Sequence, residues 1–133
     1  MRTTTYISLL ALTACIVPLF AHHNVAEQYN IDTTITVQGT VTKTDWTNPH
    51  TRFWVDVRDN NNVANWEMEL PPPNTLRRQG IAQDFLKPGD QVTVEMWVAK
   101  DGSKFSHPLT LHLPDGRTLQ FPRDLLWRSR PTK

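Results

Sequence analysis

ITVQGTVTKTDWTNPHTRFWVDVRDNNNVANWEMEL, residues 35–70, is the stretch on which the fold turns. At its start Ile35, Val37, Gly39 and Val41 alternate with Thr36, Gln38, Thr40 and Thr42, the two-residue period of a strand that buries one face. The strand is read over Ile35–Trp46, and Gly39 in its middle marks a bend or bulge. Thr47-Asn48-Pro49-His50 breaks the run, because proline donates nothing to a ladder and asparagine favours turns. A second strand follows over Thr51–Val57, with Phe53, Val55 and Val57 on one side. Asp59 to Asn62 makes a hairpin turn, and Val63–Leu70 pairs back with Ala64, Trp66, Met68 and Leu70 pointing one way. Three strands in a meander result.

Beyond them, Pro71, Pro72 and Pro73 end the third strand, Asn74 is placed to cap a short helix over NTLRRQ, and Gly80 closes it. The turn Leu86-Lys87-Pro88-Gly89-Asp90 leads into a fourth strand, Gln91–Ala99, where Val92, Val94, Met96 and Val98 alternate with polar residues and Trp97. Leu109, Leu111 and Leu113 mark a fifth strand, and the Asp115-Gly116 turn begins a terminal hairpin that returns over Arg117–Phe121. Such a chain, all-β with one helix between its third and fourth strands, is expected to close. The expected fold is a small five- to six-stranded barrel of the oligonucleotide/oligosaccharide-binding type, because closure removes exposed strand edges. The barrel domain is placed at residues 35–121, after an arm over residues 22–34. Pro122–Lys133 carries four basic residues against Asp124 and reads as a basic C-terminal tail of net charge +3.

The front of the chain speaks to compartment. Arg2 precedes sixteen uncharged residues, Tyr6–Ala21, too few to span a bilayer comfortably, with small Ala21 at the boundary. This is the form of a cleaved secretory signal over residues 1–21, so a periplasmic or secreted protein is expected. A rival reading takes Leu12-Thr13-Ala14-Cys15 as a lipoprotein cleavage motif, although the residues after Cys15 stay apolar. Trimming at Ala21 would remove Arg2, taking the 14 basic residues to 13, level with the 13 acidic ones. A neutral chain does not attract polyanions as a whole, so nucleic acid is not an expected partner. Membrane contact is expected only through a lipidated Cys15 or the basic tail. The trimmed chain would also lack cysteine, and with it any disulfide.

The strings VQGTVTKTDWTNPHTRFWVDV (37–57), NWEMEL (65–70), PNTLRRQGI (73–81), LKPGDQVTVE (86–95), AKDGS (99–103) and TLHLPDGRTL (110–119) resemble the bacterial exported family catalogued as domain of unknown function 6152. The AHH at 21–23 is similar too, whereas the PPPN at 71–74 and the long basic tail depart from the pattern. The resemblance implies an exported small β-barrel protein and brings no activity with it.

Two groups of residues carry the candidate chemistry. The first is the loop Asn48-Pro49-His50 with Trp46 and Trp54 on either side, where an imidazole and an amide beside indole faces suit a sugar, a peptide or another small polar ligand. The plain alternative is a turn whose polar groups satisfy one another. The second is His22-His23 at the expected mature start. A terminal amine and the His22 ring would chelate Cu(II), with His23 and His50 completing a tetragonal set. Cleavage after Phe20 would instead give Ala21-His22-His23, which also favours copper; the alternative is that both rings stay solvated. Zinc is disfavoured because the trimmed chain offers no thiolate and no HExxH spacing.

Glu67 and Glu69 share one face of a strand, an arrangement that does acid–base work only when both are buried. His107 and His112 read as surface or cross-strand residues. With no Gly-x-Ser-x-Gly elbow and no phosphate-cradling glycine loop, the expectation is a non-enzymatic binding or adaptor protein. The alternative is a periplasmic copper-binding protein using His22, His23 and His50.

Overall fold

The computed structural model describes residues 25–121. A single helical turn, α1 (Val25–Gln28), precedes three strands, β1 (Ile35–Asp45), β2 (Arg52–Asp59) and β3 (Asn62–Glu69). A second short helix, α2 (Pro73–Arg78), leads to β4 (Gln91–Val98), β5 (Phe105–His112) and β6 (Thr118–Gln120). The strands hydrogen-bond in the order β3-β2-β1-β4-β5-β6, and a parallel contact between β3 and β5 closes the first five into a barrel. This is the expected barrel, with its helix between the third and fourth strands and β6 as an extra strand on β5.

Closure demands that β1 serve two partners. Its first half pairs with β4 and its second half with β2, and Gly39 stands at the crossover, opposite both Val92 and Val57. A side chain there would run into the Asp56 carbonyl and sit 2.6 Å from Val55 Cγ1, so the strands approach this closely only because residue 39 is glycine. The irregularity itself falls two residues on, between Val41 and Lys43. Together they coil β1 around the barrel.

The inward set is mainly apolar: Val41, Phe53, Val55, Met68, Val94, Met96 and Leu111 are all fully buried, with Thr51 and Ser106 the buried hydroxyls. Leu70, Leu76, Phe85 and Phe121 join the same core. The helix starts one residue earlier than its sequence suggests. Pro73, with no N–H to satisfy and a fixed φ, takes the first helical position, so Pro72 precedes the helix and no side chain caps it. Asn74 therefore lies inside the helix, where its Oδ1 accepts a bond from Arg77 Nη1 at 3.2 Å. The C-terminal end follows expectation. Gly80 adopts φ 79°, its N–H donates to Arg77 O and that of Ile81 to Leu76 O, while Ile81 and Leu76 are both buried.

The fifth strand begins four residues before the leucine alternation. Pro108 suggests a loop, yet it lies within β5, opposite Met96, at a bulge where Glu95 already pairs with Thr110. A bulge is where a strand tolerates proline, and Leu109 is its extra residue. On the outer wall a second, smaller cluster forms from Tyr29, Trp97 and Leu109, with Val25, Ile31 and Phe105 against it. Trp97 does lie off the core face, but it is buried, because the segment after α1 covers it. That segment is held by Tyr29 bridging to Ala99, Asn30 N–H donating to Val98 O, and Lys100 N–H donating to Gln28 O.

Candidate functional site

The hairpin of β2 and β3 sets the site. With Asp59 opposite Asn62 across the turn, the register places Trp54 opposite Glu67 and Arg52 opposite Glu69. Phe53, Val55, Trp66 and Met68 turn inward, so alternation sends Arg52, Trp54, Glu67 and Glu69 outward on one wall. The parallel contact then sets Phe105 of β5 beside Glu67, and β5 pairs His107 with Trp97 of β4. Residues from four strands, the β1–β2 loop and the segment after α1 meet here.

Arg52 bridges the two glutamates, its Nη1 lying 3.0 Å from Glu67 Oε1 and its Nη2 3.5 Å from Glu69 Oε2. The second oxygen of Glu69 is 3.7 Å from His50 Nδ1, beyond a hydrogen bond. The Glu69 side chain is only 14% exposed, against 30% for Glu67 and 33% for His50. The more buried carboxylate thus has the longer contacts, well outside the 2.7–2.9 Å usual for charge-assisted bonds.

Tyr29 closes the site from the arm side. It is 2% exposed, its ring stacks on Phe105 at 5.6 Å, and its hydroxyl is buried with no hydrogen-bond partner of good geometry. Burial, and next the Glu69 carboxylate that the hydroxyl faces, push its ionisation far above the ordinary tyrosine range. His107 lies between Tyr29, 5.8 Å away, and Trp97, stacked at 6.0 Å. Burial lowers its pKa to about 4; a hydrogen bond to the Glu69 backbone opposes the shift and the neighbouring His50 adds to it. His107 is therefore a buried, neutral ring and not a surface residue. Its place opposite Trp97 is cross-strand, and the covering segment takes it out of water.

The residues singled out in the sequence do not all meet. His50, half-buried, joins the cluster through Glu69, whereas Asn48 and Pro49 are exposed in the loop and their bond is cis. Trp54 lies on the same wall beside Glu67, with Lys43 Nζ 4.4 Å from the centre of its ring. Trp46 goes elsewhere: it packs on the core, edge-on to Phe85 at 5.9 Å, with the Arg77 guanidinium 5.8 Å away. The two tryptophans are thus no joint platform.

His22 and His23 lie outside the described residues, as do the segment 1–21 with Cys15 and the tail 122–133. Among the described residues no three or more His, Cys, Asp or Glu side chains are grouped to hold a metal ion. Tyr29 and Arg52 escaped the sequence reading, which placed His107 only as a surface or cross-strand residue. Arg52 was within reach of it, since counting back from the hairpin turn sets Arg52 against Glu69. Tyr29 and His107 meet only through the arm and the β3–β5 contact, which no local pattern reveals.

The arrangement offers a half-buried carboxylate, a guanidinium, two imidazoles and a phenol beside aromatic walls, a set able to grip a small polar ligand by several hydrogen bonds. Comparison with curated proteins finds no match. The sequence profile of a family of unknown function, DUF6152, matches residues 10–107, most of the chain. The protein belongs to that family.

Proposed function

We propose that the protein is exported and acts outside the cytoplasm as a non-catalytic binding module, holding a polar envelope ligand at His50, Arg52, Glu67 and Glu69, with Trp54 beside them. The observation that carries this reading is Glu69, a carboxylate 14% exposed whose two ionic contacts, Arg52 at 3.5 Å and His50 at 3.7 Å, are both long, on the outer wall of a barrel with a hydrophobic core. A buried polar group left short of partners costs about 1–3 kcal/mol, and folds retain such costs chiefly where a ligand repays them. The wall formed by β2 and β3, with the loop after β1, is also where barrels of this architecture hold oligomeric ligands. Export is supported by the charge and apolar pattern of residues 1–21.

Tryptophan fluorescence titrated with cell-envelope sugars and peptides tests the reading. A saturable change that vanishes in Glu69→Gln and His50→Ala is the expected result, and no response from any of them would overturn it. Intact mass of the protein recovered from the cell envelope tests the trimming, by separating a start at His22, a start at Ala21 and a lipid on Cys15.

A second reading, Cu(II) held by His22, His23 and His50, draws support from one feature. Val25, two residues after His23, packs in the cluster with Tyr29 and Trp97, whose rings flank His107, the imidazole next to His50. Electron paramagnetic resonance of processed protein with added Cu(II) is expected to show a type 2 signal with nitrogen couplings. One residue added before His22 is expected to weaken it, and an unchanged affinity would remove the terminal amine from the site.

A further inference from the structure

The wall formed by β1, β4, β5 and β6 carries a different surface from that of β2 and β3. Register sets Gln38 beside Thr93, Thr93 beside His112 and His112 beside Thr118, a row that crosses all four strands. Two residues along, the next row on the same face runs Thr36, Glu95, Thr110, Gln120. Every side chain of the two rows is exposed or half-buried, and Glu95 alone among them is acidic. A cleft of about 240 Å³, open to solvent, lies on this wall, lined by Gln38, Gln91, Thr93 and His112 with Val92 and Leu113 among them. None of its described lining residues is Asp, Glu, Lys or Arg.

The carboxylates that border the cleft are each engaged. Glu95 accepts from Thr110 Oγ1 at 3.2 Å, Asp56 from Asn65 Nδ2 at 2.7 Å, Asp90 from the Lys87 N–H at 2.9 Å, and Asp115 from Arg117 Nε at 2.7 Å. The cleft itself therefore offers hydroxyl, amide and imidazole groups, and no fixed charge to attract an ion. His112 uses Nδ1 on Thr118 Oγ1 and Gln91 uses Nε2 on Thr40 Oγ1, which leaves Nε2 of the first and Oε1 of the second. The side chains of Gln38 and Thr93 make no hydrogen bond among the described residues. A peptide strand has nothing to pair with here, because β4 is bonded to β1 and β5 and β5 to β4 and β6, and the two rows hold no apolar residue to seat its side chains. A sugar ring suits the cleft, with hydroxyls for its polar groups and C–H faces for Val92 and Leu113. We propose that this cleft binds one ring of a neutral glycan, whose adjoining sugars lie along the row from Gln38 to Thr118, a span of three strand spacings or about 14 Å. The inference is independent of the site on β2 and β3 and gives the barrel a second binding surface.

Nuclear magnetic resonance of the full, isotope-labelled chain tests it by titration with cellohexaose and chitohexaose, and with a charged counterpart of each, the uronate form of the first and the deacetylated form of the second. A saturable change in the amide resonances of Gln38, Gln91, Thr93 and His112 is expected with a neutral oligomer, and its charged counterpart is expected to bind more weakly. Gln38→Ala and Thr93→Val each remove one neutral hydrogen bond from the outer face and are expected to weaken the neutral oligomer about three- to tenfold with the melting temperature unchanged. Glu69→Gln, on the other wall, is expected to leave this binding as it is. No saturable change at the cleft with either neutral oligomer would overturn the inference, as would equal or tighter binding of the charged forms. Changes confined to β2 and β3 would overturn it too, and would favour the site proposed there. Equal affinity for glucose and cellohexaose would overturn the extension along the row.

Discussion

Acid should loosen this barrel through one residue. His107 is enclosed by Tyr29 and Trp97, and burial holds its pKa near 4, against an ordinary 6.5. Between those two values the unfolded chain takes up a proton that the folded chain refuses, so stability falls as the pH falls. The contribution of the neutral ring is fully present above pH 6.5, declines through the window, and is gone below about pH 4. From pH 7.5 to pH 4.5 the loss comes to about 2.5 kcal/mol, a large share of the roughly 5–15 kcal/mol that holds a domain of this size together. Urea denaturation at the two pH values, followed by tryptophan fluorescence, measures it. Other groups titrate in the same range, so the quantity to read is the difference between the unaltered protein and His107→Gln, which keeps an amide donor for the Glu69 backbone and cannot be protonated. The unaltered protein is expected to lose about 2.5 kcal/mol more than the variant. Parallel losses would show that the ring exchanges protons as freely as one in water, and the account of its enclosure would fail.

Three other substitutions probe the framework. Tyr29→Ala removes the anchor of the covering segment and is expected to cost about 3 kcal/mol, with faster amide exchange at Asn30, whose N–H now donates to Val98 O. Leu76→Ala, in the helix that joins the core, is expected to cost about 2–5 kcal/mol in thermal denaturation, because Leu76 is fully buried. Gly39→Ala drives a methyl into the Asp56 carbonyl and is expected to lower stability by at least about 1–3 kcal/mol. An unaffected melting temperature in this last variant would mean that β1 and β2 do not approach as described.

Much of this barrel is written in short-range pattern. The meander from Ile35 to Leu70 and the strand from Gln91 follow from alternation punctuated by asparagine, proline and glycine, and closure follows from the need to hide strand edges. The first half of β5 was hidden by Pro108, whose position is acceptable only because a bulge relieves the ladder there. The helix start was displaced by Pro73, whose fixed backbone outweighs the capping tendency of Asn74. In the site, His50 and the shared face of Glu67 and Glu69 were legible, being properties of one loop and one strand. The burial of His107 was not, because it depends on Tyr29 arriving from nearly eighty residues away along the chain. The split of Trp46 from Trp54 likewise depends on where α2 and Phe85 pack.

One edge of β5 is shared between two neighbours. Phe105 and Ser106 take β3, Thr110 to His112 take β6, and β3 is left with a clasp of two paired residues, Glu67 to Phe105 and Met68 to Ser106. A hoop fastened by so short a clasp gives way there before anywhere else along its circumference. Tyr29 lies across the join, stacked on Phe105 with its hydroxyl toward Glu69, and so acts as a rivet. Pulling the arm away would then slacken the whole hoop and not the arm alone.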